Sequence, residues 1–169
     1  MSAFESWAVA LGDTLQVAAP ETYPALAEAA LKTAVAEKIL PLDTLSVADP
    51  LHIKGYGNHL IFEDESGQFH VRAMLFGPQQ MTPIHDHRVW CALVCCTGQI
   101  GERSFRIDDK GQADLQAYRV LHTGMTSVAE PGDEQAHCLQ NDASEIGITV
   151  HIYGGPEGPS ALKFYNDLG

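Results

Sequence analysis

Positive charge is scarce in this chain. Its 169 residues carry 10 Lys and Arg against 22 Asp and Glu, a formal net charge of −12. Such a surface repels phosphate backbones and anionic headgroups, which argues against nucleic-acid or membrane partners. Long apolar stretches are missing as well, and no run of residues is long enough to cross a bilayer. The start, Met1-Ser2-Ala3-Phe4-Glu5-Ser6, lacks the basic residues and following apolar stretch of an export signal. The expectation is a soluble, unprocessed, cytoplasmic protein. Cysteine is sparse: Cys91, Cys95, Cys96 and Cys138, two of them adjacent, make a poor disulfide framework. They are read as free thiols. The sequence also has no solenoid repeat, low-complexity tract or interdomain linker.

What remains is a globular composition, 45% hydrophobic and 19% charged. The length suggests one domain over residues 1–169. Residues 1–45 read as helical. Ala27, Leu31, Val35 and Ile39 recur at every fourth position and share one helix face. Pro20 and Pro24 punctuate its start and Pro41 its end. From about residue 59 the texture changes to short apolar runs between turn signals. The runs are Leu60 to Phe62, Phe69 to Phe76, Ile84 to Cys96, Ile100 to Ile107, Leu115 to Leu121 and Ile146 to Tyr153. Many short strands at this spacing predict a mostly β sandwich or barrel behind an N-terminal helical layer.

The strongest chemical signal is Pro83-Ile84-His85-Asp86-His87. Two histidines separated by one residue on a strand point to the same side, so two imidazoles can meet one metal ion. Asp86 points the other way. By spacing alone, a surface or structural pair fits equally well. The neighbourhood adds to the signal. His85 lies eight residues after Gly77, Cys91 four after His87, and Gly98 seven after Cys91. Downstream come Gly124, Pro131-Gly132, His137 and, four residues later, Asn141.

This arrangement, over about residues 56–156, resembles the two cupin motifs: a Gly, His-x-His, Glu, Gly series, then Gly, Pro-x-Gly, His, Asn. In this chain the glycine of Pro131-Gly132 comes one residue early. The resemblance implies a cupin double-stranded β-helix, or jelly-roll barrel. Cys91 stands where cupins usually have a ligand Glu, and that replacement resembles the cysteine dioxygenase family of thiol dioxygenases. These hold Fe(II) with three histidines, which implies His85, His87 and His137 as metal ligands. Thr149-Val150-His151-Ile152-Tyr153 is similar to that family's Ser-x-His-x-Tyr signature. Thr149, His151 and Tyr153 share a parity and face inward together, either as catalytic residues or as an ordinary barrel strand with partnered polar groups. Some family members link the cysteine to the signature tyrosine. The Cys91–Tyr153 pair is the candidate here, the alternative being a small buried Cys91.

The resemblance implies oxidation of a small thiol, such as cysteine or 3-mercaptopropionate, by O₂ to a sulfinate. The cysteine-specific members grip the substrate carboxylate with an Arg two residues after a Tyr. In Tyr56-Gly57-Asn58-His59 that place holds Asn58, which carries no charge. Asn58, neighbouring His59 and Arg72 are the candidate substrate-binding residues. Arg88 and Arg103 are further candidates, and a solvated surface position is the alternative for each arginine. His52, His70 and His122 have no spacing that ties them to a metal. Two other readings stand beside this one: a cupin using Mn, Ni or Zn for isomerase or lyase chemistry, and a non-enzymatic binding module. The sequence leaves open whether the protein forms a homo-oligomer.

Overall fold

The computed structural model describes residues 1–45, 56–156 and 162–165, with backbone alone at 133–135. His52 lies outside the described residues. Two helices come first, α1 (Ala3–Val17) and α2 (Tyr23–Ala36). Helix α1 opens on a reciprocal cap. The Glu5 N–H donates to Ser2 Oγ at 3.1 Å, and the Ser2 N–H donates to Glu5 Oε2 at 2.6 Å. Helix α2 stops earlier than the apolar stripe predicts. Lys38 takes a left-handed φ of 56°, its N–H donates to the Val35 carbonyl, and the Ile39 N–H donates to Ala34. Those bonds close the helix with Ile39 already outside it. Ala27, Leu31 and Ala34 form its buried face.

Ten strands follow among the described residues: β1 (Gly57–Glu63), β2 (Phe69–Phe76), β3 (Ile84–His87), β4 (Cys91–Thr97), β5 (Gln99–Ile107), β6 (Ala113–His122), β7 (Thr126–Ala129), β8 (Gly132–Gln140), β9 (Gly147–Gly154) and β10 (Leu162–Tyr165). They form two antiparallel five-stranded sheets, ordered β1-β2-β9-β4-β7 and β10-β3-β8-β5-β6. The run from Ile84 to Cys96 is therefore not one strand. It breaks at Arg88–Trp90, and its halves belong to opposite sheets. Strands β7, β8 and β10 had no apolar run to announce them. Strand pairing continues past residue 156, because β10 adds to the free edge of β3.

Alternation sorts the first sheet's residues between two cores. On its outer face Phe69, Val71, Ala73, Ala92, Val94, Val150 and Ile152 pack against Leu11, Leu15, Ala27 and Leu31 of the helices. On its inner face Met74, Phe76, Cys91, Leu93, Cys95 and Tyr153 meet Ile100, Leu121 and Leu139 of the second sheet. Gly98 turns β4 into β5 at φ 71°, and a Cβ there would lie 3.1 Å from the Ile146 carbonyl.

Asn141 pins the connection from β8 to β9. It is fully buried. Its Nδ2 donates to the Phe76 carbonyl at 2.8 Å and to the Glu145 carbonyl at 2.7 Å, and its Oδ1 accepts from the Ala143 N–H at 3.0 Å. Asn141→Ala strands all three partners, so it should cost about 2–4 kcal/mol of stability. Urea unfolding would show a lower midpoint at an unchanged slope, and an unaltered midpoint would refute the assignment.

Candidate metal centre

Strand β3 lies between β10 and β8, and its alternation turns His85 and His87 into the barrel. His137 of β8 is the direct cross-strand partner of His85. The three rings converge, with centroid separations of 5.1, 4.7 and 5.0 Å. One nitrogen from each lies within 4.8 Å of the other two, and all three residues are buried. Asp86 faces the other way, where it accepts a hydrogen bond from the Tyr165 hydroxyl of β10.

The hydrogen bonds of these rings decide which nitrogens remain. His85 Nδ1 lies 2.9 Å from the Pro83 carbonyl, so Nδ1 carries the proton and Nε2 offers a lone pair. His137 Nδ1 meets Glu102 Oε1 at 2.9 Å. Among the described residues, His137 Nε2 and both nitrogens of His87 are buried without a hydrogen-bond partner. Each buried polar atom left unpaired costs about 1–3 kcal/mol. One cation among the three rings would satisfy a nitrogen from each, so the donor set fits a metal ion that accepts imidazole.

The same burial keeps His85 and His87 neutral. It lowers His85 to about 3, aided by neighbouring His137 and opposed by the Pro83 carbonyl. It lowers His87 to about 2, with further contributions from His137, His85 and His151. His151 falls to about 3, again chiefly through burial. For all three, the unfolded chain takes up protons near its ordinary value of 6.5, while the folded chain does not. Stability is thus full above about 6.5 and drains away as pH falls toward about 3. Each histidine contributes a slope of roughly 1.4 kcal/mol per pH unit, so the three together give about 4. The metal-free protein should have a far lower urea midpoint at pH 5 than at pH 7; equal midpoints would contradict neutral buried rings.

Behind the cluster runs a polar chain on β9. Thr149 Oγ1 is 2.8 Å from His151 Nε2, and His151 Nδ1 is 3.2 Å from the Tyr153 hydroxyl. All three residues are buried. The Tyr153 ring lies 5.7 Å from that of His87. Cys91 is the cross-strand partner of Tyr153, and thiol and hydroxyl are hydrogen-bonded. One tautomer satisfies the whole chain: Thr149 donates to Nε2, Nδ1–H donates to the Tyr153 oxygen, and the Tyr153 proton points to Cys91. Burial raises both Tyr153 and Cys91, so each keeps its proton at neutral pH.

The candidate substrate residues separate. Arg72 is the cross-strand partner of His151, on the β2 face that also holds His70, Met74 and Phe76. Its Nε donates to Asn58 Oδ1 at 2.7 Å. Its positive charge reaches Tyr56, His151 and Tyr153. His59 pairs with Ala73 and turns to the helix side, where it lines a groove with Ser2, Phe4 and Glu5, away from the three histidines. Arg88 is exposed. Arg103 is held outside by Gln140, Asp142 and the Tyr118 ring.

Two more residues stand at the site: His70, which the sequence spacing does not tie to a metal, and Glu102, which no motif singles out. His70 is buried and stacks on Tyr153, with centroids 5.2 Å apart. Its parity with Arg72 on β2 was the available signal. Glu102 is buried against His137, with Arg119 and Ser127 as its other partners. Burial alone would raise its carboxyl, yet the His137 and Ser127 hydrogen bonds and the Arg119 charge together hold it well below the usual range.

No family model matches the chain. Solved structures do. A conserved protein with a double-stranded β-helix domain from Klebsiella pneumoniae aligns at TM-score 0.54 and 17% identity, over 79% of this chain and 95% of that one. The TT1209 protein of Thermus thermophilus aligns at 0.54 and 15%, over 69% and 96%. A recombinant oxalate oxidase in complex with glycolate aligns at 0.54 and 18%, over 71% of this chain and 58% of that one. The fold is a cupin barrel. Likeness at these identities speaks for architecture alone. Within this cupin barrel the three histidines stand on the inner face, with the helices stacked on the far side of the opposite sheet. No helix among the described residues is long and apolar enough to cross a membrane.

Proposed function

We propose that the protein is an Fe(II)-dependent thiol dioxygenase, converting a small thiol and O₂ into a sulfinic acid (R–SH + O₂ → R–SO₂H). The observation that carries this reading is the buried Thr149–His151–Tyr153 chain, which ends beside Cys91 and His87. It fixes a protonated phenol beside one of the three rings, where a reacting ligand would lie. His85, His87 and His137 would hold the iron, which when bound supplies the redox-active, thiolate-favouring centre that such a reaction needs.

The chain's own residues do the rest. Three imidazole ligands bring no negative charge of their own, so the centre would attract an anionic sulfur. Tyr153 keeps its proton, which points to Cys91 and would turn from that thiol to a bound substrate. His151 fixes the direction of that hydroxyl, and Thr149 fixes the tautomer of His151. Arg72, steadied by Asn58, brings positive charge to the same wall, which favours a thiol bearing a carboxylate, such as 3-mercaptopropionate or cysteine.

The test is anaerobic loading with Fe(II), then oxygen uptake with cysteine, 3-mercaptopropionate and the carboxylate-free thiol cysteamine, with products identified by mass. Uptake matched by sulfinate supports the proposal. Metal binding with no oxygen uptake on any thiol would sink it and favour a cupin with other metal chemistry. Intact mass tells separately whether Cys91 and Tyr153 have joined, since a thioether costs the chain two hydrogens.

A further inference from the structure

We infer that Glu102 is the positioning residue of the metal centre, supplying through His137 the carboxylate that the ligand set itself lacks. The inference rests on the metal-binding part of the reading above and is independent of the thiol. Cys91 occupies the place of the usual cupin ligand Glu, and its inner-face neighbours Leu93 and Ala129 are apolar. Among the described residues, the barrel interior holds one buried carboxylate, on the strand next to that of His137. Glu102 of β5 sits at 2.9 Å from His137 Nδ1, on the ring edge opposite the unpaired Nε2.

That geometry has a definite chemical effect. A carboxylate at Nδ1 holds the proton there, so the lone pair must lie on Nε2, which faces the other rings. It also makes the imidazole a stronger donor and locks the ring plane. Of the three histidines, His85 has a neutral carbonyl in this role and His87 has no partner. His137 alone among them is backed by a charge.

Glu102 is itself firmly held. Arg119 of β6 donates to Oε2 from Nε at 2.6 Å and approaches it with Nη2 at 2.6 Å. Ser127 of β7 donates to Oε1 at 2.8 Å and accepts from Arg119 Nη2 at 2.6 Å. Strands β6 and β7 belong to different sheets, so this cluster clasps the two sheets at the edge where they meet. Arg119 is half exposed while Glu102 is buried, so the clasp runs from the surface to the back of a metal ligand.

The experiment uses Co(II) as a spectroscopic probe on the full metal-free chain. Co(II) affinity is read from its visible absorption in competition with a chelator, and the His137 tautomer from ¹⁵N imidazole NMR. Glu102→Ala should weaken Co(II) binding about 10- to 100-fold, the range for loss of an outer partner, and release His137 into mixed tautomers. Glu102→Gln keeps an oxygen acceptor of the same size without the charge. It should hold the Nδ1–H tautomer and lose affinity by an intermediate factor. If Glu102→Ala fails to fold, the isosteric Gln variant and the wild-type tautomer decide. Unchanged Co(II) affinity in the Gln variant, or a wild-type His137 protonated on Nε2, overturns the inference. Wild-type protein that oxidises thiols while Glu102→Gln binds Co(II) normally sinks this inference alone. Protein that shows the Glu102 effects yet oxidises no thiol sinks the proposed reaction alone.

Discussion

His87→Ala should abolish metal binding. The ring offers two buried nitrogens with no hydrogen-bond partner among the described residues, and a bound ion would compensate one of them. Removing it takes one of three donors and leaves His85 and His137 as a pair. Loss of a hydrogen-bonded outer partner already weakens metal binding 10- to 100-fold, and loss of a donor itself should exceed about 100-fold. The metal-dependent rise in thermal stability should vanish with it. A ligand at a hundred times its dissociation constant adds about 2.7 kcal/mol to the wild type and nothing to a variant that no longer binds it. The variant should fold when metal-free, since the substitution also removes two unsatisfied polar atoms. Metal analysis and paired melting curves with and without Fe(II) check this. Stoichiometric iron in His87→Ala would show that the three rings do not form one site.

Tyr153→Phe should slow turnover by about 100-fold, the low end for a positioned proton donor, while iron content stays at the wild-type level. The phenyl ring keeps its stacking on His70 and its place beside His87, so the metal cluster is undisturbed. What goes is a single hydroxyl that bonds to both His151 and Cys91. The loss should fall on kcat more than on KM, because the hydroxyl proton matters most once the sulfur is reacting. Stability should drop by about 1–3 kcal/mol, since His151 Nδ1 and the Cys91 thiol each lose a partner. Oxygen uptake normalised to iron content measures the effect. A variant with normal turnover would remove Tyr153 from the chemistry, and one that lost its iron would make it a structural support of the cluster.

The parts of this site that could be read in the sequence are those that obey strand alternation within a few residues. His85 and His87 are two apart, as are Thr149, His151 and Tyr153, and both sets face inward together. The same rule separates Asn58 from His59. Adjacent strand residues cannot line one wall, and only Asn58 reaches Arg72. Glu102 was invisible for a different reason. It lies in Gly101-Glu102-Arg103-Ser104-Phe105-Arg106, part of a strand run with no chemical motif around it, and its partners His137, Arg119 and Ser127 are between 17 and 35 residues away. The break within Ile84 to Cys96 was hidden because Val89 and Trp90 are apolar at the corner itself. Strand β10 is short, and its assignment depends on pairing with β3 rather than on any pattern of its own.

Strand β9 lies in the middle of its sheet, hydrogen-bonded to β2 on one side and β4 on the other, with helices over one face and the histidine cluster beneath the other. A slip of one residue during folding would push Thr149, His151 and Tyr153 into the greasy space under the helices and aim Val150 and Ile152 at the three histidines. Both faces would object at once. The alternation that builds the chemistry therefore also proofreads the fold, and a chain that has closed on the wrong register cannot pass as nearly native.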